Sequence, residues 1–219
     1  MAIAYDAYTS GGVVGTSLTV SHTCTGSDRF LVAGVLGNTE GNDTITGVTY
    51  AGVAMTKITK SPPVGSGGRY LYLFHLTNPA SGANDVVVSS SSSTFMSTKN
   101  ASYTGCSQSG QPDSSSTKEQ ASGTSFSIPT TVVASNCWLS SIAQMDGGGN
   151  LTAGAQTTIR STADVVALSD SNGTVGTGSQ AQNFSNTGGG KSWGVILSIA
   201  PVVVVTDGAG LTLNKGWWG

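Results

Sequence analysis

The residues with catalytic potential in this chain are few. Gly190-Lys191-Ser192-Trp193-Gly194 matches the G-x-S-x-G pattern, in which a serine rides a sharp turn between a strand and a helix, above an oxyanion hole. Here the residues after Ser192 read as a strand, and those before it are Thr187-Gly188-Gly189, so the motif lacks its context. The same stretch ends like a phosphate loop. The first glycine of such a loop would fall on Ser185, however, and no helix follows to aim its N-terminus at a phosphate. The two histidines, His22 and His75, lie in strand-like runs and read as core or half-buried structural residues rather than general bases. They cannot make a three-histidine zinc site, and Cys24, Cys106 and Cys137 have no C-x-x-C spacing.

Oxygen-rich turns at Asp170-Ser171-Asn172-Gly173 and Asn42-Asp43 lack the spacing of a calcium loop and read as Asx turns. Glu40 and Glu119 stand far apart in loops, which gives little support for a glycosidase pair. Sequons at Asn42, Asn100, Asn150, Asn172 and Asn183 are what chance yields in so Ser/Thr-rich a chain. The expectation is therefore a non-enzyme with no catalytic residue, no cofactor and no metal.

Composition sets the remaining bounds. The chain has 219 residues, enough for one large all-β domain plus a tail. Only 9% are charged, and the net charge is −2 with no run of Lys or Arg, so a nucleic-acid partner is not expected. No apolar run approaches the roughly 18 residues of a membrane helix, so no membrane partner is expected either. The odd cysteine count fits three buried thiols. The first residues, Met-Ala-Ile-Ala-Tyr-Asp, lack the n- and h-regions of a signal peptide, which suggests synthesis in a cytoplasm.

The elements that would position any site are strands. Residues 45–59 alternate Val48 and Tyr50, then Val53 and Met55, about an Ala51-Gly52 link, the pattern of a β-hairpin with one buried face. Residues 29–36 are apolar on both faces and predict a central strand. Further strands are expected at 17–23, 70–76, 85–90, 97–104, 124–128, 137–145, 155–161, 164–169, 178–184 and 192–199. Residues 1–16 read as a lead-in with a short edge strand near 3–8. The five serines at 89–93 read as a low-complexity tip, and 105–123 as a polar loop. About twelve short strands without helices suggest one antiparallel two-sheet β-sandwich, jelly-roll-like, over residues 17–200. Leu31, Val35, Val48, Tyr50, Leu71, Leu73, Trp193 and Val195 hold the inward phase of its strongest strands.

Three stretches carry a family likeness. They are residues 27–35 (Ser-Asp-Arg-Phe-Leu-Val-Ala-Gly-Val), residues 47–56, and residues 70–88 with their Asn78-Pro79-Ala80-Ser81-Gly82 turn. Together with residues 101–105 and 193–199 they resemble a β-sandwich module of phage virion proteins and repetitive bacterial surface proteins. The surface versions occur in long tandem arrays, and this chain holds one copy, which favours the phage side. The resemblance implies a structural virion protein. The first role is an accessory capsid decoration or cement protein on the outside of the head, with the major capsid protein or sister subunits as partners. The alternative is a receptor- or glycan-binding module of a tail or head fibre, with a host glycan as ligand.

The least ordinary segment is the end of the chain, residues 201–219. Pro201 closes the last strand, four valines follow, and the sequence finishes Leu211-Thr212-Leu213-Asn214-Lys215-Gly216-Trp217-Trp218-Gly219. It reads either as a last strand folding back on its own sheet, or as an arm that leaves the domain and adds to a neighbour. For the arm, Val203, Val205, Leu211, Leu213, Trp217 and Trp218 are the candidate partner-binding residues.

Overall fold

The structure is a computed structural model, and it describes residues 1–38, 42–61, 68–146, 149–161, 165–203, 205–206 and 212–213. Seventeen strands and no helix occur among them. In the first half of the chain they are β1 (Ala4–Cys24), β2 (Phe30–Asn38), β3 (Ile45–Tyr50), β4 (Val53–Ala54), β5 (Thr56–Lys60), β6 (Arg69–Thr77) and β7 (Gly82–Thr104). In the second half they are β8 (Ser114–Gln120), β9 (Ser125–Val132), β10 (Trp138–Met145), β11 (Thr152–Ala153), β12 (Thr158–Ile159), β13 (Val166–Asp170), β14 (Gly178–Ser185) and β15 (Ser192–Ile199). The two-residue strands β16 (Val205–Thr206) and β17 (Thr212–Leu213) come last.

All pairings are antiparallel, and the two halves of the chain segregate. Strands β1 to β7 make a seven-stranded sheet of order β4-β3-β7-β2-β6-β5, with β1 on the remaining edge of β7. Strands β12-β13-β10-β15-β8 form a five-stranded sheet, and β11-β14-β9 a three-stranded one. Three main sheets thus stand where the sequence reading expected two. The reason lies in the strands themselves. Every residue of β10, β13 and β15 is buried, so their sheet has two dry faces and needs a cover on each.

On one face Trp138, Ile142, Leu168, Trp193, Val195 and Leu197 meet Phe30, Val32, Leu71, Leu73 and Tyr103 of the first sheet. On the other, Leu139, Ala143, Ala167 and Ile196 meet Phe126, Ile128 and Phe184 of the three-stranded sheet. Glycines mark both close approaches. A methyl group on Gly34 would lie 2.7 Å from Ile142 Cδ1, and one on Gly194 2.3 Å from Ile128 Cδ1.

The first sheet holds a core of its own, because it curls until it nearly closes. Its end strands β4 and β5 are joined by the single residue Met55, whose N–H donates to the Val48 carbonyl at 2.8 Å. The Ala51-Gly52 link is a tight turn with both φ angles positive, 50° and 77°, the pattern of a type I′ hairpin. Its second arm is only two residues long, however, and Val53 is 55% exposed rather than inward. Leu31, Ala33, Val35, Val48, Tyr50, Tyr70, Tyr72, Phe74, Val86 and Val88 fill the curl. The eight core residues named from the sequence are all buried. They divide between two cores, though. Leu31, Val35, Val48 and Tyr50 lie inside the curl, while Leu71, Leu73, Trp193 and Val195 lie between the layers.

The curl is driven by a bent ribbon. Strand β1 runs 21 residues against the 23 of β7, so the expected lead-in and its boundary at residue 16 fall inside one strand. Thr16 faces the four residues 90–93, because Gly15 pairs with Thr94 and Ser17 with Ser89. Such a bulge bends and twists both strands. The serine tip expected at 89–93 is this bend, in mid-strand. Beyond it β1 folds over itself. Thr9 Oγ1 and His22 Nδ1 share a hydrogen bond of 2.9 Å, and Asp6 accepts from the Thr25 N–H at 2.8 Å. Both pairs are centred on the Gly15–Thr16 bond. The expected polar loop at 105–123 likewise contains a strand. Residues 114–120 have no apolar side chain, but they pair with β15 from Ser114↔Ser198 to Gln120↔Ser192.

Candidate functional site

Two regions could carry function: the exit of the chain from the sheets, and the places where ionisable side chains gather. At the exit, Cys106 and Pro201 form an isolated bridge, and the Val202 N–H donates to the Gly105 carbonyl at 3.0 Å. Ala200 is clamped by Gln111, whose Nε2 donates to its carbonyl (2.8 Å) and whose Oε1 accepts from its N–H (3.2 Å). Past this clamp Val203 is 78% exposed. Val205 and Leu213 pair with each other in a separate two-stranded sheet, β16 with β17. Leu211, Trp217 and Trp218 lie outside the described residues.

Inside the bend of β1, polar groups converge. Asp6 accepts from the backbone and hydroxyl of Thr25 and from Ser102 Oγ at 2.7 Å. Asn100 Nδ2 reaches Thr9 Oγ1 at 3.4 Å, and Tyr50 OH lies 3.2 Å from the His22 carbonyl. Burial works against charge on Asp6, but these donors outweigh it and hold its carboxyl below the usual value. His22 is 1% exposed, and its Nε2 has no partner. Burial pulls its pKa from 6.5 down to about 4, and nearby Asp6 offsets only part of that. Among the described residues no hydrogen bond joins this imidazole to a carboxylate or to the Cys24 thiol. The cluster ties the two halves of β1 together.

A pH dependence follows. The unfolded chain binds a proton at His22 near pH 6.5, but the folded chain resists until about pH 4. The stability contributed by a neutral His22 is whole above pH 6.5 and is lost as the pH falls through this window. His75, also lowered by burial, acts in the same direction. Urea midpoints measured between pH 7 and pH 4 should fall, and His22→Gln should flatten the slope. An unchanged slope in that variant would remove His22 from the account.

The other residues weighed in the sequence lie in the core or in a turn. Ser192 is the first residue of β15, fully buried, with no partner for Oγ. His75 is buried and stacked on Phe30 at 5.2 Å. Cys24, Cys106 and Cys137 are buried free thiols, and burial pushes Cys106 up to about 12. Asp170 does make an Asx turn, accepting from the Asn172 N–H at 2.9 Å. Among the described residues no group of three or more His, Cys, Asp or Glu could hold a metal ion. No helix among them is long and apolar enough to cross a membrane.

Two clusters had no signal in the sequence, because each gathers side chains from several different strands. Arg160 grips Asp170 with Nε (2.7 Å) and Nη2 (2.8 Å) and stacks 3.9 Å over the Tyr5 ring, while Tyr103 OH reaches the same carboxylate at 3.2 Å. Asp43 takes Lys60 Nζ at 2.6 Å and Tyr72 OH at 2.8 Å, with Lys57 and Lys60 lying over the rings of Tyr72 and Tyr70. The first locks two sheets together, and the second secures one end of the curl. Comparisons of the chain with protein-family models, with curated proteins and with solved structures find no match.

Proposed function

We propose that this chain is a structural virion protein of a tailed phage, acting as an accessory decoration or cement protein on the outside of the head. Its partners would be the major capsid protein or sister subunits, with residues 201–219 as the connecting arm. The observation that carries this reading is the exit at Pro201. A tightly clamped segment releases the chain into a valine-rich run whose Val203 stands 78% exposed, a form suited to adding to another polypeptide. The sequence resemblance supports it further. The Asp28, Ala51-Gly52 and Asn78 turns that carry it all adopt positive φ, and Arg29 braces the last of them by donating to the Pro79 carbonyl at 2.7 Å.

A jelly-roll-like description belongs to the same proposal. Face-to-face antiparallel sheets speak for it, and the segregation of the two halves of the chain into different sheets speaks against it. The fibre alternative, with a host glycan as ligand, has less behind it. Tyr70 and Tyr72, beside the exposed Lys57 and the half-buried Lys60, are buried and offer no open ring face to a sugar. The test is to add purified chain back to heads stripped of it. Full-length protein should rebind, and a chain lacking residues 206–219 should fold but stay in solution. Equal rebinding by the truncated chain would end the arm reading.

A further inference from the structure

The three main sheets have six outer edges apart from β1, and each is protected. Strands β4, β11 and β12 are two residues long. The longer edges carry the residues that discourage strand addition: Lys57 and Lys60 on β5, Lys118 and Glu119 on β8, and Pro129 on β9. Strand β1 is the exception. Among the described residues it pairs with β7 alone, so one side of its 21 residues has no strand beside it. From residue 7 to residue 24 it holds no Lys, Arg, Asp, Glu or Pro. Its longest regular stretch is 7–15, in unbroken register from Ala7↔Ser102 to Gly15↔Thr94. Within it Val13 and Val14 are 36% and 69% exposed, and Phe95, opposite Val14 on β7, is 42% exposed.

We propose that this edge is an interaction surface for a second copy of the chain, residues 7–15 pairing antiparallel with themselves about a two-fold axis. The stretch maps onto itself when the axis passes through Gly11. Tyr8 then faces Val14 of the other copy, and Thr9 faces Val13, so that aromatic and β-branched side chains meet across the join. An edge without charge sets no like charges against its own copy, and it offers nothing to a strongly charged partner. Among the described residues of the three main sheets each copy has one such edge, and pairing about a two-fold axis closes as a dimer rather than a fibre. The inference rests on the fold and not on the virion reading, and the two can fail separately.

The test uses the full chain. Sedimentation and light scattering across a wide concentration range should find twice the 21.9 kDa chain mass. Ser10 is exposed, and a methyl group on Gly12 would come no nearer than 3.5 Å to any neighbour, so both positions accept side chains within one copy. The double variant Ser10→Lys/Gly12→Lys should still melt cooperatively, at a temperature independent of concentration, and run at the single-chain mass. The double variant Ser10→Cys/Gly12→Cys should give a covalent dimer under mild oxidation, linked from residue 10 of one copy to residue 12 of the other. A parent that stays monomeric throughout, or a dimer that survives the lysines, would overturn the proposal. Should the lysine variant fail to fold, the cysteine pair decides: a 10-to-12 link supports the dimer, and its absence contradicts it.

Discussion

Replacing Arg160 with methionine should cost about 3–5 kcal/mol of stability, the usual price of leaving a buried carboxylate without its cation. Asp170 is 0% exposed, and Arg160 meets it with two parallel hydrogen bonds while its third contact goes to Asn172 Oδ1 at 2.7 Å. The guanidinium lies on Tyr5 of β1, and the carboxylate takes Tyr103 OH of β7, so the pair joins the curled sheet to the five-stranded one. Arg160→Met leaves that charge between two dry layers. Removing both charges together, Arg160→Met/Asp170→Leu, should recover part of the loss, because a buried ion pair is seldom much better than an apolar pair of like volume. Urea unfolding of the three proteins measures this. A single-variant cost below about 1 kcal/mol would show that the carboxylate is solvated, against the geometry.

Leu73→Ala should cost about 2–5 kcal/mol, the range for emptying a leucine site in a packed core. Leu73 is 0% exposed and belongs to the cluster between the curled and five-stranded sheets. The nearby approach of Gly34 to Ile142 and Leu168 leaves those sheets little freedom to collapse into the hole. Val133→Ala, at a 70% exposed position, is the control and should stay within about 0.5 kcal/mol of the parent. Equal effects at the two positions would contradict the layering.

Much of the curled sheet was legible in the sequence. Short-range chemistry specifies its turns, as at Ala51-Gly52 and Asn78, and the run apolar in both phases at residues 29–36 marks β2 as central. What was not legible is long-range. Strand β8 has no apolar residue, and it is a strand because β15 supplies its hydrogen bonds. The residues 90–93 are a bend because Thr16 lies opposite them, more than seventy positions away in the chain. The third main sheet follows from adding up which strands are dry on both faces, a count that alternation within a single strand cannot give. The candidate site divides in the same way. Asp6 with Ser102 and Asp43 with Tyr72 are contacts between distant residues, whereas the valine-rich exit announces itself in a contiguous run.

The central claim, a virion protein joined to its neighbours by residues 201–219, is tested most directly by imaging the assembled particle at side-chain detail. The account predicts this chain on the outer surface of the head, its curled and layered sheets intact, with Trp217 and Trp218 seated against the shell protein or a sister copy. Finding the two tryptophans packed on their own domain, or the chain on a fibre and not on the head, would contradict it.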